Sequence, residues 1–171
     1  MRYLLILAFL SIAACKEEVA DLPDAMPMTE DALSYFCQMQ VISHAGPKGQ
    51  VHLEGYPAPL FFAQVRDLIA YLKSPERDAD ILVVYVSDMG SAPSWGQPDA
   101  ADWIAAKDAH FVVGANVAGG MGAPEIVPFA TQLDADAFTA KYGGAVVSLE
   151  AIPDDAALGP VDLDDKLEEP T

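Results

Sequence analysis

Apolar positions along this chain change their period several times, and the changes lay out its elements. Leu4 to Leu10 is an unbroken apolar run, too short for a bilayer span, which needs about 20 apolar residues. Residues 16–31 follow without helical or strand periodicity, carrying Pro23, Pro27 and scattered acids. Residues 36–42 read as an extended strand, and Ala45-Gly46-Pro47-Lys48-Gly49 carries turn chemistry. Residues 50–53 resume the extended pattern, which predicts a hairpin. Tyr56-Pro57-Ala58-Pro59 breaks it. Within residues 60–72, Phe61, Val65, Leu68, Ile69 and Leu72 then fall at helical spacing, and Ser74-Pro75 stops that helix. The β-branched run 81–86 predicts a buried strand.

The same order then returns. After the loop composition of Pro93-Ser94-Trp95-Gly96-Gln97-Pro98, residues 109–113 predict a strand and Gly119-Gly120-Met121-Gly122-Ala123-Pro124 a turn. Residues 126–129 predict the returning strand, held to a sheet edge by Pro128. Residues 134–142, with acids early and Lys141 late, predict a helix capped by Gly143-Gly144, and residues 145–152 a closing strand. The expected class is α+β: two similar small ββαβ units packed together. They would occupy residues 34–90 and 103–153, joined by a linker at 91–102 and followed by an acidic tail, 154–171, expected to be disordered.

The first residues supply an address. Met1-Arg2 is a short positive region, and the apolar run after it ends in Ile12-Ala13-Ala14-Cys15. Small residues directly before a cysteine look like a bacterial lipobox. Residues 1–14 would then be a signal peptide, Cys15 the lipid-bearing first residue, and 15–33 a flexible tether. The mature chain would be anchored in the cell envelope, facing the periplasm, with the choice of membrane undetermined. Acylation of Cys15 leaves Cys37 as a single free thiol in an oxidising compartment, where a thiol needs burial or a metal to persist. Net charge is −17, and −18 once Arg2 leaves with the signal. Such a surface repels nucleic acid, which is excluded as a partner.

On a strand, Cys37 and Met39 would share one face. Thiolate plus thioether is a soft pair that favours Cu(I), although the same two residues also suit a strand buried in a core. The lone thiol in an oxidising compartment weighs toward a ligand. Met26 and Met28, on either side of Pro27, read as linker methionines, with an auxiliary soft site as the alternative.

Together, a lipoprotein signal, an early Cys-x-Met segment, a Gly-Gly-Met-Gly turn before Pro128-Phe129-Ala130, and the late Gly143-Gly144-Ala145-Val146-Val147 segment resemble the NosL family. These are accessory lipoproteins of nitrous oxide reductase maturation in denitrification, and the resemblance runs from Cys15 to Ile152. It implies a periplasm-facing copper-binding protein that delivers Cu(I) for the reductase's copper–sulfide cluster. The implied partners are nitrous oxide reductase and a membrane transporter complex. Cys37 and Met39 match the family's Cys-x-Met ligands, and Met121 matches the methionine of the Gly-rich turn. His44 and His52 are candidates for an additional ligand, with His110 below them. One thiolate and two thioethers suit monovalent copper and serve Zn(II) poorly. No Ser/His/Asp set, phosphate loop or spaced carboxylate pair stands out among 26 acids, so the chain does not read as an enzyme. The rival readings are a thiol-dependent enzyme with Cys37 as nucleophile and a scaffold lipoprotein without metal.

Overall fold

Gly49 opens the strand on which the first half is built. In the computed structural model, which describes residues 22–97, 102–162 and 166–170, any side chain at Gly49 would overlap Leu68 Cδ1. That absence lets a helix lie directly on the strand. The strand is β1 (Gly49–Leu53), flanked antiparallel by β2 (Leu60–Phe62) and β3 (Ile81–Ser87), with β4 (Trp103–Ala105) beyond β3. The helix is α1 (Val65–Lys73), whose Val65, Leu68 and Ile69 are buried against Val51, Leu53 and Phe62.

The second sheet repeats this plan. β5 (His110–Val113) is central, with β6 (Val127–Phe129) on one side and β7 (Ala145–Val147) on the other; α2 (Gln132–Tyr142) connects the outer two. Thr131 caps α2, its Oγ1 accepting from Asp134 N at 3.2 Å, and Gly143 ends it at φ +76°. Orders β2-β1-β3 and β6-β5-β7 are the same topology, so the two ββαβ units stand.

Their make-up in the first half differs from the sequence expectation. Residues 36–42 form no strand; the first strand is β1 and the second is β2, which helical spacing had absorbed into α1. Leu60-Phe61-Phe62-Ala63 is apolar at consecutive positions, as in a strand covered on both faces, and the helical match at Phe61 is a coincidence. β4 pairs with β3 and so belongs to the first sheet, although its residues lie within the stretch assigned to the second unit.

The described residues on either side of the two units are more ordered than composition suggested. Within the acidic tail, α3 (Asp154–Leu158) packs on α1. Lys73 Nζ donates to Ile152 O at 2.8 Å and Asp154 Oδ1 at 2.6 Å, while Arg66 Nη2 donates to Gly159 O at 2.7 Å. Farther on, Glu168 pairs with Val117. At the other end, the described part of the expected tether lies against the first sheet: Tyr85 Oη donates to Pro23 O at 2.9 Å, and Gln50 holds the backbone of Met26. The expectations for residues 1–14 and Cys15 lie outside the described residues.

One apolar cluster joins the halves, with Phe111, Ile126 and Ile152 meeting Val51, Phe62 and Leu68. A second lies under α2, where Trp95 packs with Val112, Val127 and Phe129.

Candidate metal centre

Cys37 sits at the tip of a loop rather than on a strand. The loop closes where Ser34 N donates to Met39 O and Val41 N to Ala32 O, both at 2.9 Å. Its tip is a tight turn in which Gln38 N donates to Ser34 O at 2.9 Å. Gln38 adopts φ +57°, a left-handed conformation stabilised by its own amide, which donates to Tyr35 O at 2.8 Å and Ser34 O at 3.2 Å. A left-handed residue between Cys37 and Met39 cancels strand alternation. The face-sharing argument therefore fails, and a tight curl carries the two sulfurs instead.

The loop is seated on the edge of the first sheet. Tyr35 N donates to Phe61 O at 2.7 Å, and the buried Ser34 Oγ accepts from Ala63 N at 3.2 Å. The Tyr35 ring packs on Phe62 and Tyr71, and its hydroxyl donates to Asp78 Oδ2 at 2.7 Å, a bond that raises the phenol's pKa. Cys37 is a free, half-buried thiol. Close to it in the chain, Leu33 and Phe36 are each 49 % exposed and Met39 45 %, an apolar rim left open among the described residues.

Met121 sits on the second loop, between β5 and β6. Gly119 N donates to Ala123 O at 2.8 Å and Gly122 N to Gly119 O at 2.9 Å, with Gly122 at φ +81°. The backbone N–H of Met121 donates to Oε1 of Gln64, the residue capping α1, at 3.1 Å. This loop is thus pinned at its backbone rather than swinging freely, while the Met121 side chain remains 44 % exposed.

Gly120 of this loop meets the residues that follow the first loop, His44 and Ala45. A Cβ there would lie 2.7 Å from both His44 Cβ and Ala45 O, so only glycine allows the approach. His44 also reaches the first loop, its Nδ1 donating to Gln40 O at 2.9 Å. Since a carbonyl can only accept, Nδ1 carries the proton, and the neutral tautomer consistent with this bond has its lone pair on Nε2. His44 thus lies between Gln40, the neighbour of Met39, and Gly120, the neighbour of Met121. His52 is placed differently, on the sheet face that binds Pro23 and Met26, with Gln50 and Tyr85 as partners and a pKa lowered by burial. His110 opens β5 opposite Phe129.

Beneath this junction lie two buried charges that the pattern did not single out. Lys48, fully buried, donates from Nζ to Ala45 O at 3.0 Å, Gly46 O at 2.7 Å and Ala63 O at 3.0 Å. Burial pushes its pKa down to about 8, opposed by the charge of Glu125. Glu125 Oε1 accepts from Arg66 N and Ile126 N, both at 2.9 Å, at the start of α1. Burial pushes the Glu125 pKa up to about 7, against those two N–H groups and Lys48. A Cβ at Gly119 would sit 2.5 Å from Glu125 Oε2. Lys48 therefore fixes the Ala45–Gly46 side of the junction, and Gln64 and Glu125 lie against the Met121 side. In the sequence Lys48 lay in a turn motif and Glu125 was one acid among many, and no local signal marked either them or Gln64.

Among the described residues, no group of three or more His, Cys, Asp or Glu side chains is placed to hold a metal ion. The sequence model of the NosL family matches residues 25–157. The chain is 50 % identical over 164 residues to the copper-binding lipoprotein NosL of Achromobacter cycloclastes, covering 95 % of this chain and 85 % of that protein. It is 32 % identical over 138 residues to the copper-binding lipoprotein NosL of Stutzerimonas stutzeri, covering 80 % and 70 %. The crystal structure of the copper chaperone NosL from Shewanella denitrificans superposes with a TM-score of 0.70 at 32 % identity, over 77 % of this chain and 96 % of that one. The solution structure of apo-NosL from A. cycloclastes does so at 0.51 and 52 % identity, over 71 % and 95 %.

Proposed function

Because the chain belongs to the NosL family, whose named members are copper-binding lipoproteins and copper chaperones rather than enzymes, we propose that it is a lipid-anchored, periplasm-facing carrier of Cu(I). Its cargo is delivered for assembly of the copper–sulfide cluster of nitrous oxide reductase, with a membrane transporter complex as docking partner. The observation that supports this most is the Gly120–His44 contact, which sets the Met121 loop of the second unit against a histidine bonded to Gln40, next to Met39 in the first.

Copper is the cargo here, held by groups that can also let it go. Cys37 supplies the only thiol of the mature chain; binding drives its proton off, and the resulting thiolate neutralises Cu(I). Met39 and Met121 supply neutral thioethers. The free Nε2 of His44 makes this histidine, rather than His52, the candidate fourth ligand. Exposure of Met39 and Met121 lets an acceptor's ligand approach the metal before the carrier's ligands have left, and the apolar rim of Leu33 and Phe36 gives the acceptor a surface to dock on.

The test is Cu(I) titration of the purified protein against a chelator, with and without Cys37→Ala. Replacement of the thiolate is expected to lower affinity at the tight site by ~10³-fold or more, on the scale of ~4 kcal/mol. Unchanged affinity in Cys37→Ala would overturn the assignment.

A further inference from the structure

Met121 stands at the tip of a short hairpin arm, and a segment from far along the chain lies against that arm. Glu125 N donates to Val117 O at 3.2 Å and Gly119 N to Ala123 O at 2.8 Å, with Ala118 bridged antiparallel to Pro124. These bonds close one edge of residues 117–119. The other edge is taken by Glu168. Its N–H donates to Asn116 O at 3.0 Å and its carbonyl accepts from Ala118 N at 2.9 Å, a parallel bridge centred on Val117. Asn116 Nδ2 also donates to Glu168 Oε1 at 3.3 Å, across 52 positions of sequence. Two residues farther on, Pro170 is half-buried and lines a cavity of about 230 Å³ together with Trp95, Phe138 and Tyr142.

A two-stranded hairpin has little stability of its own, and an open edge leaves its backbone groups unpaired. Val117 and Ala118 are buried, so loss of Glu168 would leave the Ala118 N–H without its acceptor. The arm is held at its root, where Asn116 N donates to Tyr142 O at 2.8 Å, and at its tip, where Gln64 binds Met121 N at 3.1 Å. Glu168 grips the edge between these two points. We infer that residues 166–170 form a strap that positions the Met121 thioether, with Glu168 as the positioning residue, and that this grip sets how long Met121 stays on Cu(I). The inference rests on the proposed carrier site and adds to it a segment that neither unit contains. An arm ordered beforehand loses less conformational entropy when its methionine closes on the metal. Freed from the strap, the arm would let that methionine leave sooner. Cys37 and Met39 stand on the separate loop before β1, so the effect is expected on Met121 alone.

Two substitutions at one position test the strap. Glu168→Pro removes the N–H bound to Asn116 O and the carboxylate bound to Asn116 Nδ2. Glu168→Gln keeps both bonds, since its amide oxygen still accepts. In the copper-free protein, amide exchange at Ala118 should be about tenfold or more faster in Glu168→Pro, while the buried Val112 of β5 keeps its rate. Release of Cu(I) to a competing chelator should be roughly threefold to tenfold faster in the same variant. Glu168→Gln should match the parent in both measurements. In a Met121→Ala background, adding Glu168→Pro should change release by less than about twofold, because the group being positioned is gone. An Ala118 rate untouched by the proline would show that the strap does not hold the arm. Release unchanged in Glu168→Pro, or accelerated equally with and without Met121, would show that it does not position the thioether. If Glu168→Gln released copper as fast as Glu168→Pro, charge rather than pairing would be responsible, and the strap would be overturned. Failure of the carrier reading looks different: Cys37→Ala then binds Cu(I) as tightly as the parent, while exchange at Ala118 still reports the strap's hold on the arm.

Discussion

The two ββαβ units share a topology strand for strand, yet they carry different chemistry. Each has its first strand in the centre and its helix between the outer strands. In the first unit residues 54–59 connect the first two strands; in the second, residues 114–126 do so and include Met121. The first unit keeps its connection short and carries its sulfur on an added loop before β1. Just before the central strand stands Lys48 in one unit and Ala109 in the other: a caged ammonium in the first, a small apolar residue in the second. The frame was repeated, and the centre was built from the parts that were not.

Lys48→Ala breaks that difference most directly, making the first unit resemble the second. It leaves three carbonyls, two of them buried, without their donor and Glu125 without its counter-charge, at a cost of about 3 kcal/mol or more. Denaturant unfolding should show the loss, and stability within ~1 kcal/mol of the parent would mean that the cage is only decorative. Next is Gly120→Ala, which should force the loops apart by the space of one methyl. Cu(I) affinity is expected to fall by ~10–100-fold, or ~1.4–2.7 kcal/mol, with circular dichroism unchanged; full affinity would show that the units bind independently. Met121→Ala asks what the second unit adds. Its loop is pinned by Gln64, so the side chain alone must bend to the metal, and the expected loss is about tenfold. Release to a competing chelator should be faster, whereas an unchanged affinity and release rate would remove Met121 from the site and leave His44 as the second loop's neighbour at the metal.

The same asymmetry explains what was legible beforehand. The second unit, with separated elements and Gly-rich punctuation, could be read closely in its first strand and helix, 109–113 against His110–Val113 and 134–142 against Gln132–Tyr142. Its closing strand, expected at 145–152, instead ends at Val147 and gives way to a 3-10 turn at Leu149–Ala151. The first unit could not be read so closely, because two non-local forces set it. The segment 36–42 has strand composition but is turned by one left-handed Gln38, and the residues just before it, Ser34 and Tyr35, are anchored to Ala63 and Phe61, far away in sequence. The tether looked unstructured because its partners, Gln50 and Tyr85, lie on a sheet that composition cannot see. Cys37, Met39 and Met121 stood out as chemistry. The lysine, glutamine and glutamate that place their loops did not, since burial alone makes them special.

The smallest effect concerns Glu125, which has no counterpart at the start of α2, where Thr131 caps the helix with a hydroxyl. Its pKa rises from 4.5 in the unfolded chain to about 7 in the fold. Between those values the folded protein binds more proton than the unfolded one, so this contribution is complete below 4.5 and is lost as pH rises through about 7. Lys48 behaves oppositely: lowered from 10.5 to about 8, it contributes fully above 10.5 and loses that as pH falls through 8. Both groups are charged between the two folded values, and their mutual attraction offsets part of each cost. The difference in stability between the parent and Glu125→Gln should therefore shift against the parent as pH rises from 5 to 7, by less than ~1 kcal/mol per pH unit. Glutamine keeps an oxygen for Arg66 N and Ile126 N, so the helix start remains capped and only the titration is removed. A difference that stays flat from pH 5 to 7 would mean that Glu125 is already ionised at pH 5, with Lys48 and the two N–H groups outweighing burial.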